Sequence, residues 1–272
     1  LTWMVRDISI AEDLAQDTLI IALERWPVSG IPDNPGAWLM TVAKRKAIDM
    51  LRRKKRLDQK YEQMAYEVNI HFEPDLADGI DEDIKDNLLR LIFMTCHPVL
   101  SKNARVALTL RLVGGLTTEE IANAFLVPEP TIAQRIVRAK RTLATANVPF
   151  EVPQKAAYAE RLSSVLEVIY LMFNEGYSAS SGDNLIRMNL CNEALRMGRV
   201  LADLILTEPE VYGLVALMEI QVSRYKARTN SEGEMILLLD QNRSLWNQEH
   251  IGRGVASLKK AEDLGGILGM YA

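Results

Sequence analysis

Cysteine is scarce: Cys96 and Cys191 are the only two in 272 residues, far apart and without CxxC spacing. That leaves no disulfide framework and no cysteine-held zinc site, and it fits a reducing compartment, so the expected location is the cytoplasm. Long apolar runs are missing as well. Stretches such as LLRLIF and MILLLD fall far short of the roughly 20 residues a bilayer crossing needs, and no charged-then-apolar leader opens the chain, so no membrane partner is expected. Sustained apolar/polar alternation is absent, which makes β structure negligible. No HExxH, P-loop or dinucleotide fingerprint occurs, and the Gly/Ser-rich NEGYSASSG fails the GxSxG nucleophile pattern. The expectation is a protein that is not an enzyme and holds no cofactor. Cys96 stands next to His97, but with no further ligands nearby the pair reads as packing rather than a metal site.

What is present is helical spacing of apolar residues nearly throughout, which predicts an all-α chain. The net charge of -4 hides segregated blocks: residues 44–60 hold nine Lys or Arg against Asp49 and Asp58, while residues 73–86 hold seven Asp or Glu against Lys85 alone. Small basic faces beside acidic connectors suit a protein that touches nucleic acid with limited surfaces and another partner elsewhere. A first helix is expected from Ser9, with Glu12 completing a capping box, to Trp26, where PVSGIPDNPG breaks it. Asn34 caps a second, with Pro35 in the first turn, running to about Arg56. A polar, acidic connector follows over residues 58–85, and helices resume with breaks at Pro98 and at Gly114 with Gly115. The third block, 154–272, holds amphipathic helices, one opened by a capping box of Thr207 and Glu210 around Pro209. Its helix pairs suggest stacked helical hairpins of the tetratricopeptide kind, without a clean repeat.

The segment GLTTEEIANAFLVPEPTIAQRIVRAKRTL carries the chemistry. Thr117 and Glu120 cap a short helix, LVP makes a turn, and a second helix places Ile132, Ile136, Ala139 and Leu143 on one buried stripe. Turned outward are Thr131, Gln134, Arg135, Arg138 and Arg141, the residue types that meet base edges and phosphates when a recognition helix lies in a major groove. The plainer alternative is an amphipathic hairpin with a solvated basic face. Upstream, Arg45, Asp49, Arg52 and Arg56 share one stripe of the second helix, while Leu39, Ala43, Ala47 and Leu51 line another. On the first helix Asp13, Gln16, Asp17 and Glu24 share a polar face opposite Leu14, Ile21 and Ala22.

AEDLAQDTLIIALERW followed by NPGAWLMTVAKRKAIDMLRRKKR resembles the promoter-binding region of bacterial sigma factors of the sigma-70 family, extracytoplasmic-function group. TTEEIANAFLVPEPTIAQRIVRAK resembles that group's distal DNA-binding region, in the family's order. The resemblance implies two small helical domains, 1–57 and 86–148, joined by the acidic linker 58–85, with core RNA polymerase (its clamp helices and flap) and promoter DNA as partners. It implies that the face of Asp13, Gln16, Asp17 and Glu24 docks on the clamp helices. It further implies that Asp33 and Asn34 in the loop, with Lys44, Arg45, Arg52, Arg53 and Arg56 on the helix, engage the opened minus-ten strand. Thr131, Gln134, Arg135, Arg138 and Arg141 would then read the minus-35 duplex, and the linker would thread the polymerase cleft or serve as a tether.

Only Trp38 offers stacking on the second helix, and its apolar neighbours mark it as core. YLMFNEGYSAS, EPEVYGLVALM and LLLDQNRSLWN resemble the tetratricopeptide-like carboxy-terminal extension of one subgroup, which implies regulation or a regulatory partner at the third block. Two other readings stay open: a polymerase-independent helix-turn-helix regulator with a sensing domain, and a third block that binds a small molecule or catalyses.

Overall fold

The computed structural model describes residues 1–5, 7–61, 80–178, 185–230 and 236–265, with the backbone alone at 3, 54–61, 80–84, 178 and 185–187. Among these residues every regular element is a helix and none is a β-strand, as the apolar spacing predicts. The chain packs as two compact units, residues 1–84 with 144–150 and residues 85–143 with 151–272.

In the first unit α1 (Thr2–Val5) and α2 (Ile8–Ser29) precede the long α3 (Pro35–Tyr61). The start of α2 differs from the expected Ser9–Glu12 box. Asp7 is the cap, its Oδ1 accepting from the N–H groups of Ser9 at 2.7 Å and Ile10 at 3.2 Å. A carboxylate satisfies two orphan donors and also faces the positive end of the helix dipole, which a serine two residues later does not match. The other end runs past Trp26. Pro27 is tolerated in the last turn, and the helix stops at Gly30, whose φ of 83° is left-handed and accessible to glycine. Asn34 caps α3 as the sequence predicts, accepting from Ala37 N–H at 2.9 Å.

Ile8, Ala11, Leu14, Thr18 and Ala22 form the buried stripe of α2. Ile21, expected among them, is only half-buried. Against it α3 buries Ala43 and Ala47, half-buries Leu39 and leaves Leu51 37% exposed, so the apolar stripe of α3 ends one turn earlier than expected. Trp26 and Trp38 meet edge to face with centroids 5.5 Å apart, fastening the end of α2 to the start of α3. Trp38 is therefore a packing residue. The acidic connector lies for the most part outside the described residues; of its span, 58–61 continue α3 and 80–85 open the next helix.

The second unit holds α4 (Ile80–Thr95) from Lys85 on, α5 (Lys102–Leu112), α6 (Thr118–Ala124), α7 (Glu129–Thr145) as far as Leu143, α8 (Lys155–Ser178), α9 (Leu185–Leu204), α10 (Pro209–Ser223) and α11 (Gln248–Asp263). The α10 start corrects another expected cap. Glu208 rather than Thr207 is the capping residue, no side chain closes a box, and Pro209 takes the first position, where a missing N–H needs no partner. Buried on almost every side, α10 is the central helix of the 154–272 block, with α9 and α11 against it.

Two glycines permit the close approach. A Cβ on Gly198 would lie 2.6 Å from Met218 Cε, and one on Gly254 would lie 2.7 Å from Ile220 Cγ1. At the crossing the carboxylate of Glu219, 1% exposed, is held by Arg199 Nη2 at 2.6 Å, His250 Nδ1 at 2.6 Å and Arg253 Nε at 3.3 Å. One buried charge thus ties α9, α10 and α11 together, and removing its partners would leave it uncompensated.

Helices α4 and α5 pack against α8. Phe93 and Tyr158 rings lie 5.8 Å apart, Arg161 Nη2 donates to Phe93 O at 2.7 Å, and Ser164 Oγ donates to Cys96 O at 2.5 Å. Arg105, 7% exposed, donates to Ser164 and lies 3.1 Å from Glu167 Oε2. Lys102 also pairs with Glu167. Cys96 sits beneath this layer, 3.4 Å from Thr109 Oγ1, and burial pushes its thiol up to about 11. Cys191 is likewise buried, its thiol pushed up to about 12.

Candidate nucleic-acid interface

The helix-turn-helix is assembled from local signals. Thr117 Oγ1 accepts from Glu120 N–H at 3.1 Å and Glu120 Oε2 accepts from Thr117 N–H at 2.7 Å, the complete capping box that the sequence predicts for α6. The bond from the Thr117 backbone, then that from its hydroxyl, holds the Glu120 carboxyl below the usual range. The turn follows through Leu126, which takes a φ of 52°, and Val127 N–H closes back on Ala122 O at 3.1 Å. Upstream, Arg111 Nη1 donates to Leu116 O at 3.0 Å, pinning the loop that enters α6.

Helix α7 then buries Ile132, Ile136, Ala139 and Leu143, the four residues of the predicted stripe. Thr131, Gln134, Arg138 and Arg141 are exposed and Arg135 is half-buried. An open cleft of about 360 Å³ separates α7 from the start of α5, with Ser101 and Ala104 on one wall and Thr131, Gln134, Arg135 and Arg138 on the other. Four of the five expected contact residues therefore face one space, and Arg141 continues the exposed surface one turn on. Helices α8 and α9 meet α5 and α6, and the outward face of α7 stays open. Arg196 of α9 reaches the loop after α5, donating to Val113 O at 3.1 Å.

In the first unit Lys44, Arg45, Asp49, Arg52 and Arg53 are exposed along α3, and Asp33 is exposed in the loop before it. Arg56 belongs to α3 by its backbone, and its side chain lies outside the described residues. The Oδ1 of Asn34 is engaged as the cap of α3. On α2, Asp13, Gln16, Asp17 and Glu24 are all exposed. Asp17 is not a lone acid, since its Oδ2 lies 2.8 Å from Lys46 Nζ of α3.

Sequence reasoning missed three apolar members of these surfaces. Ile20 is 53% exposed and Leu23 75% exposed among the acids of α2, and Val137 is 65% exposed on α7. The signal was available in the helical period, because all three fall on the side opposite the buried stripe. Among the described residues no group of His, Cys, Asp and Glu could hold a metal ion, and no helix is long and apolar enough to cross a membrane.

A helix-turn-helix with exposed basic side chains on its second helix defines the class, and comparison with known proteins narrows it. Residues 1–57 match sigma-70 region 2 and residues 90–143 match sigma-70 region 4. Together, in that order on one chain, they support a sigma-70 family sigma factor. Residues 161–262 match a family of unknown function (DUF6596). An uncharacterized protein of Rhizobium meliloti (strain 1021) is 42% identical over 258 residues, a match that covers 94% of this chain and 61% of that protein. The chain thus spans less than two thirds of the length of this relative. No solved structure matches it.

Proposed function

We propose that this chain is a sigma factor of the extracytoplasmic-function group, which brings core RNA polymerase to specific promoters and leaves the chemistry to the polymerase. The observation that carries the reading is a region 4 match whose reading helix holds four apolar residues inward and turns Gln134, Arg138 and Arg141 outward, downstream of a region 2 match. Those side chains suit base edges and phosphates of the minus-35 duplex. Lys44, Arg45, Arg52 and Arg53, with Asp33 and Asn34 before them, would engage the opened minus-ten strand, where a basic groove tracks the backbone. Acids around Ile20 and Leu23 on α2 give an apolar centre with a polar rim, the make-up of a protein docking surface, and its partner would be the polymerase clamp.

The 154–272 extension, read as tetratricopeptide-like, would support the reading domain and offer a surface to a regulatory partner. Its position favours support over occlusion, since α8 packs on α4 and α5 while the outer face of α7 remains exposed. For the same reason the test uses the full chain: cutting after Val148 removes Tyr158, Arg161, Ser164 and Glu167 from the α4–α5 face. The full chain is mixed with purified core polymerase and a pool of promoter-containing DNA, and complex formation and transcript start sites are measured. A stable complex with defined starts is expected. Failure to bind core polymerase would sink the proposal.

A further inference from the structure

On α7 the buried residues Ile132, Ile136, Ala139 and Leu143 follow steps of four, three and four. Pro130, Gln134, Val137 and Arg141 follow the same steps on the opposite side, and all four are exposed. Val137 therefore stands in the outermost row of the reading helix, between Gln134 one turn before and Arg141 one turn after. Its exposure of 65% leaves its two methyl groups in water. A β-branched residue is also a poorer helix former than the alanine or lysine a solvated face would favour.

A major groove offers one apolar feature on the base edges, the C5 methyl of thymine. We infer that Val137 is a specificity residue, packing against a thymine methyl in the upstream promoter element. This rests on the sigma-factor reading and deepens it. The spacing supports the pairing with Gln134: a helix rises about 1.5 Å per residue, so the two side chains lie about one base step apart along the axis. Gln134 has the bidentate donor and acceptor that suit adenine N6 and N7. The outer row then reads an adenine and a thymine on neighbouring base pairs, one through hydrogen bonds and the other through apolar contact.

The experiment isolates the methyl. The full chain with core polymerase selects bound duplexes from a randomised upstream pool, and the selected duplex is remade with deoxyuridine at each thymine in turn, which keeps pairing and removes only the methyl group. Wild type should lose about fourfold in affinity at one position, the worth of one buried methyl. Val137→Ala should bind the thymine and uracil forms of that position within about twofold of each other, and Val137→Thr, keeping one methyl, should fall between. Both substitutions are at an exposed site and leave the buried stripe intact. Equal wild-type affinity for thymine and uracil at every position would overturn the inference while the selected binding still supports the sigma-factor reading. An equal uracil loss in wild type and Val137→Ala would overturn it too. Were no duplex selected at all, the sigma-factor reading would fall first and this inference with it.

Discussion

Arg105 of α5 is buried with its guanidinium 3.1 Å from the Glu167 carboxylate of α8, so the helix-turn-helix segment and the 154–272 block share an ion pair inside one packed unit. Glu167 is also held by Lys102. Removing the carboxylate would leave the enclosed Arg105 charge without this partner, and in that sense the pair links the two segments.

That link predicts an acid sensitivity. The hydrogen bond from Lys102 is the largest effect, and with the charges of Arg105 and Lys102 it holds the Glu167 carboxyl below its ordinary value of 4.5, against burial, which opposes it more strongly than either charge alone helps. A folded-state value below the unfolded one contributes stability that is complete above the unfolded value and is lost as pH falls through the folded one. Thermal melts of the full chain should therefore fall more steeply in wild type than in Glu167→Gln as pH drops below about 4.5. At neutral pH the substitution should cost roughly 1 kcal/mol, because the Glu167 side chain is 32% exposed and solvent screens part of the attraction. Parallel acid slopes in the two proteins would show that Glu167 does not carry the link.

His97 predicts a second loss at milder pH. Burial, with Arg161 beside it, pushes the imidazole down to about 4 from 6.5. Its Nδ1 accepts from Val99 N–H at 3.1 Å, an acceptor role that protonation ends. In the unfolded chain the ring takes its proton near 6.5, so the stability it contributes is complete above that pH and is lost as pH falls toward 4. His97→Ala should be less stable than wild type at pH 7 and should lose less of its melting temperature between about pH 6.5 and 4.5. Identical pH profiles would place the sensitivity elsewhere.

Local signals carried much of the fold. The Thr117–Glu120 box, the Asn34 cap and the four-residue stripe of α7 depend on neighbours within one or two turns, and each is where the sequence predicts. The misplaced caps at Ser9 and Thr207 show the limit of that approach. Several residues within a turn of a helix start can cap it, and Asp7 and Glu208 won through the chain path into the helix, which no spacing rule records. Long-range pairs left no trace at all: Asp17 and Lys46 stand 29 residues apart, and Ser164 and Cys96 stand 68 apart. Those contacts arise from packing of whole helices, so the joining of residues 85–143 with 151–272 into one unit was not legible beforehand.

The Asp17–Lys46 pair makes the docking face proposed for α2 testable on its own terms. Both side chains are substantially exposed, 57% and 33%, so the pair should be worth less than about 1 kcal/mol to folding. Asp17→Ala and Lys46→Ala should therefore melt close to wild type. If Asp17 meets the polymerase clamp, Asp17→Ala should weaken the complex with core polymerase several-fold, and Lys46→Ala should leave it nearly unchanged, since it removes only the internal partner. Titration of labelled core polymerase against each variant separates the two. Equal weakening by both would mean that the pair acts by holding α2 against α3.

Arg138 offers the sharpest test of the DNA-reading role proposed for α7, because it is exposed on the cleft wall and carries no share of the buried stripe. Replacing it with alanine should leave the melting temperature unchanged and weaken binding of the polymerase complex to the upstream element. The salt dependence distinguishes how the arginine works. A contact to phosphate releases about one counterion, so Arg138→Ala would reduce the slope of log affinity against log salt by about one and weaken all sequences alike. A bidentate contact to guanine would instead cost about 1–3 kcal/mol of discrimination and relax preference at a single base pair. With Gln134 beside it on the same wall, the base contact is the expected outcome, and a selection repeated with Arg138→Ala should lose one guanine from the upstream element while the thymine assigned to Val137 persists.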